Sequence, residues 1–350
     1  MPCPGQGRQS SCLSWRRQAA TGRGMWRRVL ILLLVIGLTP GTWLRSDNAP
    51  PVRELTLTMA PMPFEPGCCW SGPLKLLGAW QLASPHQDFG GYSALLQVQP
   101  GRLLAFSDRG YSLAFSEPGQ PQSPIEIAPL LEDSARLKDN RDVEAATRDP
   151  DSGLIWIGLE GRDAIARHRP DLRREQFREI AGMRDWPQNQ GPEALLRLRD
   201  GRFVALCECN PGWFQGGRHP ALLFSGDPTI GEAAPQAFTL AGIDGYRPTD
   251  MAQLPDGRVL ILVRQLVWPV PARFAIKILI ADPAEIAPGK VWQARELADL
   301  SDPWPVDNYE GLAIERQADG SLVAWLISDE NGAATQRVLL LKLRIDESKL

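Results

Sequence analysis

Gly201-Arg-Phe-Val-Ala-Leu-Cys-Glu208 sets the reading of this chain, because the same pattern returns along it. Gly101-Arg-Leu-Leu-Ala-Phe-Ser-Asp108, Gly153-Leu-Ile-Trp-Ile-Gly-Leu-Glu160 and Gly257-Arg-Val-Leu-Ile-Leu-Val-Arg264 keep the charged residue seven positions after the Gly. Gly320–Asp329 is a looser fifth copy. Each copy is a turn glycine, a short apolar strand and a charged strand end. The steps from Gly to Gly are 52, 48, 56 and 63 residues. A period near 50 with several strands per unit predicts the blades of a β-propeller. Five marked units cover roughly residues 86–350. Strand candidates at 54–59 and 75–82 are left over at one end, and Arg337–Ile345 at the other. Pairing them would close the ring and remove exposed edges. The expectation is an all-β, six-bladed β-propeller over 54–350, preceded by an N-terminal export signal or anchor and linker over 1–45.

The composition agrees. Of 350 residues, 43% are hydrophobic, enough for a sizeable core, and the 32 Gly and 31 Pro suit short strands and turns rather than a helical bundle. The leader is different. Arg8, Arg16, Arg17, Arg23, Arg27 and Arg28 precede a ten-residue apolar run, Val29–Leu38. A basic stretch before a short apolar one reads as an export signal, and it is short for a membrane span of about 20 residues. The expected location is periplasmic or extracellular, with anchoring to the inner membrane through 29–38 as the alternative. Residues 1–45 carry seven Arg and no acid, so the body keeps 31 of the 38 basic residues against all 41 acidic ones, a formal −10. That balance argues against nucleic acid and suits cations. A monomer is expected. Cys68-Cys69 and the Cys207/Cys209 pair allow either a bridge between the two pairs or unpaired buried thiols, and their spacing does not suit zinc.

Two acidic positions recur per unit. One is the strand-end series Asp108, Glu160, Glu208 and Asp329, with Arg264 breaking it. The other lies seven to ten residues before each Gly: Glu144, Glu193, Asp250 and Glu310, with Ser93 in the first unit. In a propeller the innermost strand of every blade runs along the channel, so such residues converge. Gathered carboxylates repel one another unless some stay protonated or a cation binds. Oxygen donors without His or Cys favour Ca²⁺, with Mg²⁺ behind it. Asn140, Asn189 and Asn308 can add neutral oxygens. Asp200, Asp256 and Asp319 sit in Asp-Gly turns and read as turn formers. Arg109, Arg162, Arg247 and Arg264 can clamp a phosphate or carboxylate, or pair with the acids beside them. His86 is either a channel base or a loop histidine, and no Ser nucleophile motif is present.

At these residues the chain resembles the phytase-like propeller family, also described by its esterase-like activity. The resemblance rests on Gly90-Gly91-Tyr92-Ser93-Ala94-Leu95 leading to Ser107-Asp108-Arg109-Gly110, on Asp142-Val143-Glu144, and on Gly191-Pro192-Glu193-Ala194-Leu195. Asp256-Gly257-Arg258 with Val263-Arg264, and Asp307-Asn308-Tyr309-Glu310-Gly311-Leu312 leading to Ser328-Asp329-Glu330-Asn331, complete it over about 86–332. It implies an exported propeller hydrolysing phosphate or other esters, with bound calcium. On this reading Glu144, Glu193, Asp250, Glu310, Asp108 and Asp329 hold the metal. Glu310, Glu193, Arg109 and Arg264 carry the chemistry on a small-molecule ester or phosphate ester. A sugar-lactone hydrolase and a non-catalytic envelope binding propeller with a structural cation are the alternatives.

Overall fold

The computed structural model describes residues 26–33, 52–65, 67–130, 142–187, 191–209, 217–231, 234–241, 244–267, 273–301, 303–330 and 337–350. Met1–Pro51 and Val52–Leu350 are separate units. In the first, a short helix covers 26–33 with exposed side chains. Among the described residues no helix is long and apolar enough to cross a membrane.

The second unit opens with β1 (Thr58–Pro61), β2 (Trp70–Ser71) and β3 (Leu74–Ala83). Blade I follows as β4 (Tyr92–Gln99), β5 (Arg102–Ser107), β6 (Tyr111–Ser116) and β7 (Glu126–Pro129). Blade II is β8 (Val143–Arg148), β9 (Ile155–Leu159), β10 (Ala164–His168) and β11 (Arg174–Glu179). Blade III is β12 (Pro192–Arg197), β13 (Phe203–Cys207), β14 (Arg218–Phe224) and β15 (Gln236–Ala241). Blade IV is β16 (Arg247–Gln253), β17 (Val259–Val267) and β18 (Arg273–Ala281). The chain then lends β19 (Val291–Gln293) in parallel to β15 of blade III and returns as β20 (Arg295–Asp299). Blade V joins β21 (Tyr309–Arg316), β22 (Leu322–Ser328) and β23 (Val338–Ile345) to β3, with β1 and β2 on its rim.

Among the described residues there are thus five blades, not six. The pairing of 75–82 with the C-terminal strand is present: Leu341 faces Ala79 and Val338 faces Leu82. It completes the fifth repeat instead of building a sixth. That repeat contributes β21, β22 and β23, and β3 supplies the fourth strand. The first strand also starts later than alternation suggested, at Thr58, where Met59 pairs with Leu82. A single helical turn covers Pro283–Glu285, capped by Asp282 accepting from Ala284 N at 2.9 Å.

Local chemistry explains the repeat. Gly101, Gly153, Gly201, Gly257 and Gly320 all have φ between 73° and 97°, the left-handed region a tight strand-to-strand turn needs. Asp200, Asp256 and Asp319 accept from the backbone N–H two residues on, at 2.9–3.0 Å, as turn formers do. The strands after these turns are buried on both faces; Phe203–Cys207 and Leu322–Ser328 are buried at every position. A blade sandwiched between two neighbours needs apolar residues on both sides of the pleat. Five buried clusters result, one at each blade-to-blade interface. Trp325 and Leu113 meet between blades V and I, Phe106 and Ile157 between I and II, and Trp156 and Phe203 between II and III. Leu206 and Ile261 meet between III and IV, and Leu262 and Leu326 between IV and V. The inner strands β4, β8, β12, β16 and β21 touch in that order and close on β4.

Candidate functional site

Every inner strand breaks register at the same place. The shifts fall between Tyr92 and Ala94, Val143 and Ala145, Pro192 and Ala194, Pro248 and Asp250, and Tyr309 and Gly311. A bulge adds one residue and re-aims its side chain. The added residues are Ser93, Glu144, Glu193, Thr249 and Glu310. Two are hydroxyls that tie a blade to its neighbour: Ser93 Oγ donates to Val143 O, and Thr249 Oγ1 lies 3.4 Å from Tyr309 O. The other three are glutamates.

Asp250 is therefore one position away from the glutamates. It faces Leu262 in the ladder, and its carboxylate accepts from Met251 N at 2.8 Å and Leu312 N at 2.7 Å. Burial pushes its pKa well up and the two N–H groups oppose this. Its side chain links blade IV to blade V.

The strand ends form a second layer. Ser107, Leu159, Cys207, Val263 and Ser328 pair with the residue before each bulge. The next residues, Asp108, Glu160, Glu208, Arg264 and Asp329, therefore share one end of the channel with the bulges. The N–H groups of Asp108, Glu160 and Asp329 donate to Gly91 O, Asp142 O and Asn308 O at 2.8–3.0 Å, the same latch in three blades. Glycine lets the backbone come this close. A Cβ on Gly91, at φ +69°, would meet Asp108 Oδ1 at 2.1 Å, and one on Gly191 would meet Glu160 Cα at 2.7 Å. Gly191 N donates to Glu160 Oε1 at 3.1 Å, and Gly91 N to Glu330 Oε2 at 2.7 Å.

Arg264 is the best shielded of the arginines at this mouth. Its Nη2 is 2.9 Å from Glu208 Oε1 and 3.1 Å from Glu310 Oε1. Its Nη1 donates to Asn308 Oδ1 at 2.7 Å, and Asn308 Nδ2 donates on to Glu310 Oε1 at 2.7 Å. Asn308 is thus a relay between Arg264 and Glu310. Burial alone would loosen the proton of Arg264; Glu310, Glu208 and Glu193 outweigh it and keep the guanidinium charged. Arg247 Nη1 is 3.7 Å from Glu208. Arg109 reaches Glu330 at 2.9 Å and Asp108 at 3.9 Å. Arg162 turns outward to Glu179, 3.0 Å away on the rim of blade II. His86 stays in its loop, with Nδ1 accepting from Asp88 N at 3.2 Å. Asn140, Asn189 and Asn331 lie outside the described residues.

The acids hold one another's protons. Burial first, then Glu193, Glu310, Asp142 and Glu160, push the Glu144 pKa well up. Burial with Glu208, Glu310 and Glu160 does the same to Glu193, against Arg264. Burial raises Glu310 too, opposed by Arg264 and Asn308. Asp142, Glu144 and Glu160 each offer an oxygen within 4.8 Å of the others, a group able to hold a metal ion. Sequence reading placed Glu144 there but left Asp142 and Glu160 out of the ligand set. The signal was available, since Asp142 is two residues from Glu144 and Glu160 belongs to the strand-end series. Glu208 is held between Cys207 and Cys209, which are bridged to each other. The second bridge joins Cys68 to Cys69, so both disulfides lie within the pairs rather than between them.

A family model described as phytase-like, esterase-like activity of phytase, matches residues 87–332. This chain belongs to the phytase-like family. The matched span contains all ten bulge and strand-end positions of the phytase-like channel mouth. Among solved structures, the glutaminyl cyclase of Myxococcus xanthus shares 12% identity over 78% of this chain and 97% of its own, with a TM-score of 0.43. A gluconolactonase from Xanthomonas campestris shares 14% identity over 84% of this chain and 99% of its own, with a TM-score of 0.41. No curated protein matches the chain.

Proposed function

We propose that this phytase-like chain is an exported, Ca²⁺-dependent hydrolase of phosphate or carboxylate esters, acting at the acidic mouth of the channel. The observation that carries the reading is the crowding of carboxylates around one guanidinium. Asp142, Glu144 and Glu160 bring oxygens within 4.8 Å of one another, and Glu193 and Glu310 are near enough to raise the Glu144 pKa. The donor set is all oxygen, which fits a hard cation. Asp142, Glu144 and Glu160 would hold it, with Glu193, Glu310, Asp108 and Asp329 around them. Once bound, a divalent cation polarises an ester oxygen and lowers the pKa of a water.

The chain's own groups supply the rest. Glu193 accepts no side-chain hydrogen bond among the described residues, and its raised pKa suits a group that takes a proton from the attacking water and returns it to the leaving oxygen. Arg264, fixed by Glu208, Glu310 and Asn308, stabilises negative charge on the reacting phosphoryl or acyl group. Arg109 adds a second cation at the rim, and Glu310 orients Arg264. Acids outnumber arginines here, which favours a mono- or neutral ester over a polyphosphate. The two disulfides and the basic leader support export.

The test is a calcium-dependent screen of p-nitrophenyl phosphate, p-nitrophenyl acetate and gluconolactone with wild type and Glu193→Gln. Turnover of an ester that needs calcium and falls at least a hundredfold in the variant is expected. Calcium binding without turnover of any substrate would leave the cation a staple between blades. Faster turnover of the lactone than of either ester would move the assignment there.

A further inference from the structure

Cys68 and Cys69 are bridged to each other although they are neighbours in the chain. Such a bridge closes almost no loop, so it removes little entropy from the unfolded chain and does not act as a staple between distant segments. What it holds is local. Cys69 has φ +65°, one of three non-glycine residues in the left-handed region among those described. A residue with a Cβ is disfavoured there, and the ring closed by the two sulfurs keeps Cys69 in place.

The turn held in this way clasps two blades together. Leu76 N donates to Cys69 O at 3.0 Å, tying the turn back to β3 of blade V. Asp299 N, at the end of β20 in blade IV, donates to Ser71 Oγ at 2.8 Å. Gly72, at φ +53°, runs so close to the same strand that a Cβ on it would meet Leu297 O at 2.3 Å. Cys69 Sγ lies 3.6 Å from Pro303 O, between the last strand of blade IV and the first of blade V. Cys69 is 4% exposed and shares a buried cluster with Leu297, Leu300 and Trp304, against which Cys68 also packs. Ser71 and Gly72 follow Cys69 directly, so a change of its φ moves both of them against β20.

The two bridges differ in access. Cys207 and Cys209 are 0% and 3% exposed, whereas Cys68 is only partly buried. A thiolate from solvent has a route to the first bridge and none to the second without opening the fold, and accessible bridges are the labile ones.

We propose that Cys68–Cys69 is a redox site for a dithiol reductant, and that its reduction opens the clasp between blades IV and V. One thiolate of the reductant attacks Cys68 Sγ, the S–S bond breaks, and Cys69 leaves as a thiolate that takes up a proton. The second thiol of the reductant then attacks the mixed disulfide, releases Cys68 as a thiol and closes the reductant's own disulfide. The bridge gains two electrons and two protons, and the dithiol loses them. Cys69, no longer in a ring, leaves the left-handed region. The site does not rest on the hydrolase reading.

Titration of the full chain with dithiothreitol tests this, with thiols trapped by N-ethylmaleimide and located by mass spectrometry, and hydrogen exchange followed on the same samples. Cys68 and Cys69 should be trapped at a reductant concentration about tenfold below that needed for Cys207 and Cys209. Exchange at Leu76 N and Asp299 N should then rise about tenfold, while the amides of β5 keep their protection. Cys68→Ser with Cys69→Ser should show the fast exchange without reductant. Cys68→Ser with Cys69→Gly, which accepts φ +65° with no bridge, should lose less protection. Exchange unchanged on reduction, Cys207 and Cys209 trapped first, a Cys68–Cys69 bridge that resists the dithiol until urea unfolds the chain, or greater loss in the glycine variant than in the serine one would each overturn the proposal.

Discussion

Replacing Arg264 by Gln removes the cation that holds the acidic mouth together. Arg264 is 20% exposed at its side chain, Glu208 10% and Glu310 7%, so the contacts at 2.9 and 3.1 Å are largely shielded from water. At an effective dielectric near 20, each contact is worth ~5 kcal/mol before desolvation is counted. Most of that offsets the cost of burying the charges, and deleting one partner of a buried pair costs ~3–5 kcal/mol. Glu310 can recover part of it by taking a proton, which points to about 3 kcal/mol near pH 8. The sign with pH follows. Glu310 already has a raised pKa in the fold, and losing Arg264 raises it further. Below the raised wild-type pKa Glu310 is protonated in both folded proteins and the gap between them is small. It widens as pH rises from there toward the variant's still higher folded pKa. Urea denaturation at pH 4.5, 6 and 8, in chelator, measures this: the gap between wild type and Arg264→Gln should widen with pH. Calcium at millimolar concentration should narrow it at pH 8. A gap under about 1 kcal/mol at pH 8, or one that is larger at pH 4.5, would refute the account.

Glu144→Gln should weaken calcium binding at least tenfold by calorimetry, whereas Asp256→Asn, in a turn, should leave it unchanged. Asp250→Asn should lower thermal stability by about 1–3 kcal/mol through its bonds to Met251 and Leu312, with calcium affinity retained; a large affinity loss would place Asp250 among the ligands. Glu117, buried between blades I and V, has its pKa pushed up to about 8 by burial and by Glu315, against Lys342 3.6 Å away. Its proton is kept in the fold and lost on unfolding, so wild-type stability should fall from about pH 4.5 to 8. Glu117→Gln should flatten that slope; an unaltered slope would show that Glu117 does not titrate there. Cys207→Ser with Cys209→Ser should free Glu208 and reduce turnover while the fold survives, and circular dichroism with the ester assay separates the two effects.

The sequence on its own carried the local half of this protein. Turn glycines, Asp-Gly turns and doubly apolar strands are properties of neighbouring residues, so the repeat, the all-β class and the strand-end series from Asp108 to Asp329 were legible directly. Packing decided the remainder. Whether β3 opened a sixth blade or closed the fifth depended on a strand pairing across the whole chain, which no local pattern encodes. The bulges inserted one residue before Asp250, so Thr249 took the position that Glu144, Glu193 and Glu310 hold elsewhere, and spacing along the chain could not distinguish the two. Asp142 and Glu160 became partners of Glu144 because two strands of one blade start and end at the same mouth. Charge gathers there because a closed ring of five inner strands brings equivalent positions to one axis, a consequence of tertiary closure that linear sequence only hints at.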